Sequence, residues 1–170
     1  MLCSLTAIVV LAVALSAPLC SQSFPHAEIE NSPIKAELYL PDARNGYYRG
    51  TRFDWSGVIH SLKYKGHEFF GEWFDKHDPL IHDGITGPAD VFDTNGTGLG
   101  YAEAKPGDNF IRIGVGLVEK PDEPAYRGTY TYKVADAGRR TVAQGKNWIE
   151  FGRKFPAIRV MLITIASASH

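Results

Sequence analysis

The chain has 170 residues, with 18 basic against 19 acidic side chains and a formal charge of −1, so it has no strong field to draw nucleic acid or anionic lipid; no nucleic-acid partner is expected. Aromatic residues at 12% and 17 glycines suit sheets joined by tight turns, and exposed aromatic faces suit sugar rings.

From Leu5 to Ala17 the chain is almost wholly apolar, and no charged side chain precedes His26 and Glu28. The stretch falls short of the roughly 20 residues that a membrane-spanning helix needs, and Ser16, Ala17 and Ser21 offer cleavage points. Residues 1–21 therefore read as a signal peptide, although no Lys or Arg marks a basic start, and the product is expected to be periplasmic or extracellular, with no membrane contact after cleavage. Cys3 and Cys20 both lie in or beside this leader, so the mature body has no internal disulfide and must be held by packing. Leu19 stands before Cys20 where a lipid-attachment cysteine would have a small residue. Residues 22–33 read as a linker, and about 150 residues remain, enough for one domain with a core of its own.

Ile34 to Leu40 alternates, with Ile34, Ala36, Leu38 and Leu40 on one face, and predicts a half-buried strand. Pro41 to Gly46 concentrates turn formers. Tyr47 to Phe53 and Val58 to Tyr64 read as two strands, with Lys65-Gly66 returning the chain as a hairpin. From Gly71 to Gly100 the periodicity fades into a long loop, a length often functional. Its Gly96-Thr97-Gly98-Leu99-Gly100 string has no strand clearly leading in and no helix following, so it reads as a turn and not as a phosphate cradle; Asn95-Gly96-Thr97 is a formal glycosylation sequon. Phe110 to Val118 reads as one strand, with Ile111, Ile113, Val115 and Leu117 on one face and Arg112 with two glycines on the other. Thr129 to Val134 and Asn147 to Phe151 read as further strands, and no sustained helical period follows the leader. The expected fold is all-β, an antiparallel β-sandwich over residues 34–154. Residues 155–170 form an atypical, strongly apolar tail that must pair within a sheet or be an aggregation hazard.

Two His-Asp pairs, His77-Asp78 and His82-Asp83, stand in the long loop near His60, His67, Glu68 and Glu72. Imidazole and carboxylate suit a divalent ion, but the spacing matches no specific ligand set, and no metal is expected. Tyr47 to Trp55 interleaves aromatics with Arg49, Arg52 and Asp54. Arginine donors suit sugar hydroxyls and aromatic faces suit pyranose rings; the same residues would equally suit an Arg–Asp pair bracing a sheet. No nucleophile motif surrounds Ser56 or Ser61.

Three strings, YYRGTRFDWSGVIHSLKYKGHEFFGEWF at 47–74, HDGITGPADVF at 82–92 and GYAEAKPGDNFIRIGVG at 100–116, resemble exported bacterial proteins of the aldose 1-epimerase, or galactose-mutarotase-like, superfamily. The resemblance spans roughly Ile34 to Phe151 and implies a partial β-supersandwich supplying about the first half of the family domain. It also implies a small-molecule sugar as partner, no cofactor, and interconversion of aldose anomers by a base at the anomeric hydroxyl and an acid at the ring oxygen. Arg52 corresponds to the substrate-binding arginine and His82 to the first-half catalytic histidine, with Asp83 beside it and Trp55 as a further substrate-binding residue. Asp83 stands between His82 and Gly84 where family histidines often precede the glycine directly, and no glutamate follows Phe151, which leads to the expectation of a truncated or frameshifted reading frame. Two alternatives are a non-catalytic carbohydrate-binding module and a metal-dependent secreted hydrolase built on the His-Asp loop.

Overall fold

The computed structural model describes residues 24–155 and 158–162; the leader and the end of the tail lie outside the described residues. Those residues form ten strands and no helix, and every strand pairing is antiparallel. The fold is therefore all-β, as the period-two patterning predicts.

The first sheet has the order β1-β2-β3-β4, from β1 (His26–Asn31), β2 (Ile34–Tyr39), β3 (Val58–Tyr64) and β4 (His67–Glu68). Residues 26–31 thus form a strand where a linker is expected from the sequence. Ala27 pairs with Leu38 and Ile29 with Ala36, and burying these side chains on one face fixes the register while Glu28 and Glu30 turn outward. Lys65 (φ 49°) and Gly66 (φ 82°) close the β3–β4 hairpin, the positive dihedrals that a two-residue turn between twisted strands demands.

The ladder between β2 and β3 holds one irregularity: Glu37 faces Ser61 while Leu38 faces Ile59, so His60 is an extra residue, a β-bulge. Ile59 and Leu62, three apart, consequently pack on the same apolar cluster, which regular alternation would forbid.

The second sheet has the order β5-β6-β7, from β5 (Asn109–Arg112), β6 (Gly116–Glu119) and β7 (Val134–Asp136). The single strand expected over 110–118 is in fact a hairpin. Its three-residue loop turns at Gly114 (φ 88°), where a Cβ would lie 2.6 Å from the Asp54 Cα, so only glycine fits. Of the strand expected at 129–134 only Val134 is paired, because residues 130–132 are held by side-chain hydrogen bonds instead. Residues 47–53 are also not a strand. The third sheet has the order β10-β9-β8, from β8 (Arg139–Gln144), β9 (Ile149–Phe155) and β10 (Ile158–Leu162), so the described part of the apolar tail pairs with β9.

Two clusters form the core. Ala27, Ala36 and Leu38 of the first sheet meet Ile149 and Phe151 of the third. The larger cluster is mainly aromatic, with Tyr39, Tyr47, Tyr48, Trp55, Phe110 and Tyr132 among its members. Leu38 belongs to one cluster and its neighbour Tyr39 to the other, so at this end the first sheet is a partition buried on both faces.

Candidate functional site

The segment 47–55 runs without ladder hydrogen bonds; the amides of Arg49, Asp54 and Trp55 donate to the carbonyls of Pro79, Asp90 and Gly114, and side chains supply the other ties. Tyr48, 2% exposed, is the main tie. Its hydroxyl donates to the carbonyl of His82 at 2.9 Å and accepts from the amides of Arg52 and Phe53 at 3.3 Å each. One phenol thereby joins the turn carrying Arg52 to the turn carrying His82 and Asp83. Burial pushes its pKa up to about 12, since the phenolate would have to leave water.

A second tie comes from β5. Arg112 is 1% exposed and donates from Nε to the Thr51 carbonyl at 3.1 Å and from Nη2 to the Arg52 carbonyl at 3.0 Å, while Nη1 pairs with Asp93. A buried guanidinium is tolerable only when its donors are met, and here carbonyls and a carboxylate meet them. The Thr51 hydroxyl completes the anchoring by donating to the Tyr130 carbonyl and accepting from the Tyr132 amide, both at 3.0 Å.

On this scaffold the Arg52 Nη1 pairs with Asp83 Oδ1, and the His82 Nε2 lies 3.0 Å from Asp83 Oδ2. Arg52, His82 and Asp83 therefore meet, with side chains 36%, 38% and 44% exposed. The Arg52 guanidinium also sits over the Phe53 ring, 4.9 Å from its centroid. The cluster is open to solvent.

Trp55 takes no part in that contact network. It is 3% exposed, its indole N–H donates to the Gly50 carbonyl at 2.6 Å, and the Arg140 guanidinium lies over its ring at 4.5 Å. An exposed aromatic is Trp73, 74% exposed, whose N–H donates at 2.8 Å to the carbonyl of Ile85, two residues after Asp83, and whose ring stacks on Phe74 at 6.0 Å. Sequence reasoning passed over Tyr48, Arg112 and Trp73; the first two carry no pattern of their own, while Trp73 stands out only as an apolar residue in a polar loop.

Two other histidines, His77 and His60, go elsewhere. His77 stacks on Tyr47 at 3.8 Å and donates from Nε2 to the Tyr47 carbonyl at 2.6 Å, and His60 contacts the Tyr39 hydroxyl at 3.1 Å. Among the described residues no group of three or more His, Cys, Asp or Glu is placed to hold a metal ion. Comparison with protein-family models, with curated proteins and with solved structures gave no match.

Proposed function

We propose that the chain binds a sugar at the surface formed by Arg52, His82 and Asp83, as expected of a galactose-mutarotase-like protein, with Trp73 as the apolar platform beside it. The observation that carries this reading is the convergence of Arg52 and His82, distant in sequence, on the two oxygens of one half-exposed carboxylate. A guanidinium, an imidazole and a carboxylate side by side supply donors and an acceptor of the kind that sugar hydroxyls pair with, and an exposed indole face suits the C–H surface of a pyranose. In the anomer-interconverting form of this reading, His82 gives the proton to the ring oxygen, and a carboxylate takes one from the anomeric hydroxyl.

One observation favours a second reading, a non-catalytic carbohydrate-binding module: both oxygens of Asp83 are already engaged, so the carboxylate that His82 contacts is not free to act as the base. Titration of the protein with galactose and with glucose, followed by NMR shifts, tests the shared claim. Saturable binding with a Kd on the order of 1 mM is expected, weakened about tenfold or more by Arg52→Ala. Polarimetry of freshly dissolved α-galactose then separates the two, since only the enzyme speeds the approach to the equilibrium rotation. Absence of any saturable sugar binding refutes both.

A further inference from the structure

The described residues enclose a hollow of about 530 Å³, within the roughly 300–1,000 Å³ of small-ligand sites. Its walls include Trp55, Tyr130, Tyr132 and Leu80, and two cations reach it, Arg49 and Lys133. These cations differ in one respect. Lys133 is paired with Glu119 at 2.7 Å, whereas Arg49 enters no ion pair among the described residues, and its buried Nε has no hydrogen-bond partner there. A permanent charge with no counter-charge favours an anion beside it, and a guanidinium fork matches a carboxylate in two parallel hydrogen bonds.

We propose that this hollow receives the carboxylate of an acidic sugar, a uronic acid, on Arg49, so that the favoured ligand is an anionic saccharide and not a neutral one. The inference rests on the carbohydrate reading above and narrows it. The hollow is built rather than incidental: Thr131 donates to the Leu80 carbonyl at 2.9 Å, Thr51 holds residues 130 and 132, and the Arg49 amide donates to the Pro79 carbonyl at 2.7 Å. Tyr130, 39% exposed, has Arg127 over its ring at 4.0 Å and meets Tyr132 edge-on, which fixes its orientation. Arg49 stands three residues before Arg52 and Leu80 two before His82, so the same two chain segments supply the hollow and the cluster. A ring whose hydroxyls met Arg52, His82 and Asp83 could thus direct an acidic substituent toward Arg49.

The test is calorimetric titration of the full chain with galacturonic acid, galactose and acetate at matched pH and salt. Galacturonic acid is expected to bind about tenfold or more tighter than galactose, as a charge-assisted contact contributes, and Arg49→Gln is expected to erase the difference while leaving galactose affinity unchanged. Tyr130→Ala, at an exposed position, serves as a second variant and is expected to weaken galacturonic acid as well; urea midpoints close to wild type establish that both variants fold. Equal affinity for the two sugars overturns this inference and leaves the carbohydrate reading standing. Binding of neither sugar overturns both. Arg49-dependent binding of acetate as tight as that of galacturonic acid overturns the assignment to a sugar.

Discussion

Replacing Tyr48 by Phe removes one oxygen and keeps the ring that packs in the aromatic core. Three backbone groups lose their partner: the His82 carbonyl, bonded at 2.9 Å, and the amides of Arg52 and Phe53, each at 3.3 Å. A net hydrogen bond is worth about 1 kcal/mol; the two long contacts count for less, about 0.5 kcal/mol each. The expected loss is about 2 kcal/mol. With a urea m-value of about 2 kcal/mol/M for a domain of this size, the unfolding midpoint followed by tryptophan fluorescence falls by about 1 M. Tyr47→Phe is the control, because that hydroxyl takes no part in the network. The two turns lose their tie, so sugar affinity falls with stability although no side chain proposed to touch the ligand has changed. A Tyr48→Phe midpoint within about 0.25 M of wild type, equivalent to about 0.5 kcal/mol, refutes the claim that this hydroxyl joins the Arg52 and His82 turns.

Removing the guanidinium in Arg112→Leu orphans two carbonyls and Asp93, and is expected to cost about 3–5 kcal/mol in the same assay. Gly114→Ala is expected to cost about 2–5 kcal/mol, from its left-handed dihedral plus the collision with Asp54, seen as a drop in thermal midpoint. Asp83→Asn, at a half-exposed ion pair, is expected to change stability by less than about 1 kcal/mol while abolishing sugar binding in NMR titration; a large stability loss would mark the pair as a structural brace. Burial pushes Tyr47, Tyr48 and Tyr101 up to about 12, so the folded state keeps protons that the unfolded state gives up near 10. Their contribution is intact below pH 10 and is lost as pH rises toward 12, which absorbance at 295 nm with and without urea will follow; a folded-state titration centred wholly near 10 contradicts it.

The strands legible in the sequence are those where alternation coincides with one buried face. Ile34 to Tyr39 is such a case over its middle, with Ala36 and Leu38 inward, although Ile34 is exposed and Tyr39 is buried on the opposite face. His26 to Asn31 was hidden because Ala27 is small and the intervening residues are His and Glu, so the period-two signal rests on Ile29 alone. Tyr47 to Phe53 misleads for the opposite reason: its aromatics are buried in a loop fastened by Tyr48, Thr51 and Arg112, and β propensity does not register side-chain anchoring. Phe110 to Val118 has the alternation of one long strand, yet Gly114 is where the chain reverses, because Asp54 leaves no room for a side chain. At the site, Arg52, His82 and Asp83 stand out by residue type, and their meeting could not be read without the fold. Arg49 and Trp73 matter through an unmet donor and an exposed face, neither of which a linear string contains.

The bulge at His60 has a genetic corollary. A strand dividing two oily compartments assigns each residue to one compartment by odd or even count, and the extra residue resets that count between Ile59 and Ser61. Point changes at position 60 leave the pairing alone and fall on the Tyr39 hydroxyl contact, and losing that single codon would leave a regular ladder with Ser61 opposite Glu37, Ile59 opposite Leu38, and Val58 and Ile59 in their present compartments. Position 60 is thus the place where this strand can change its length and keep its faces.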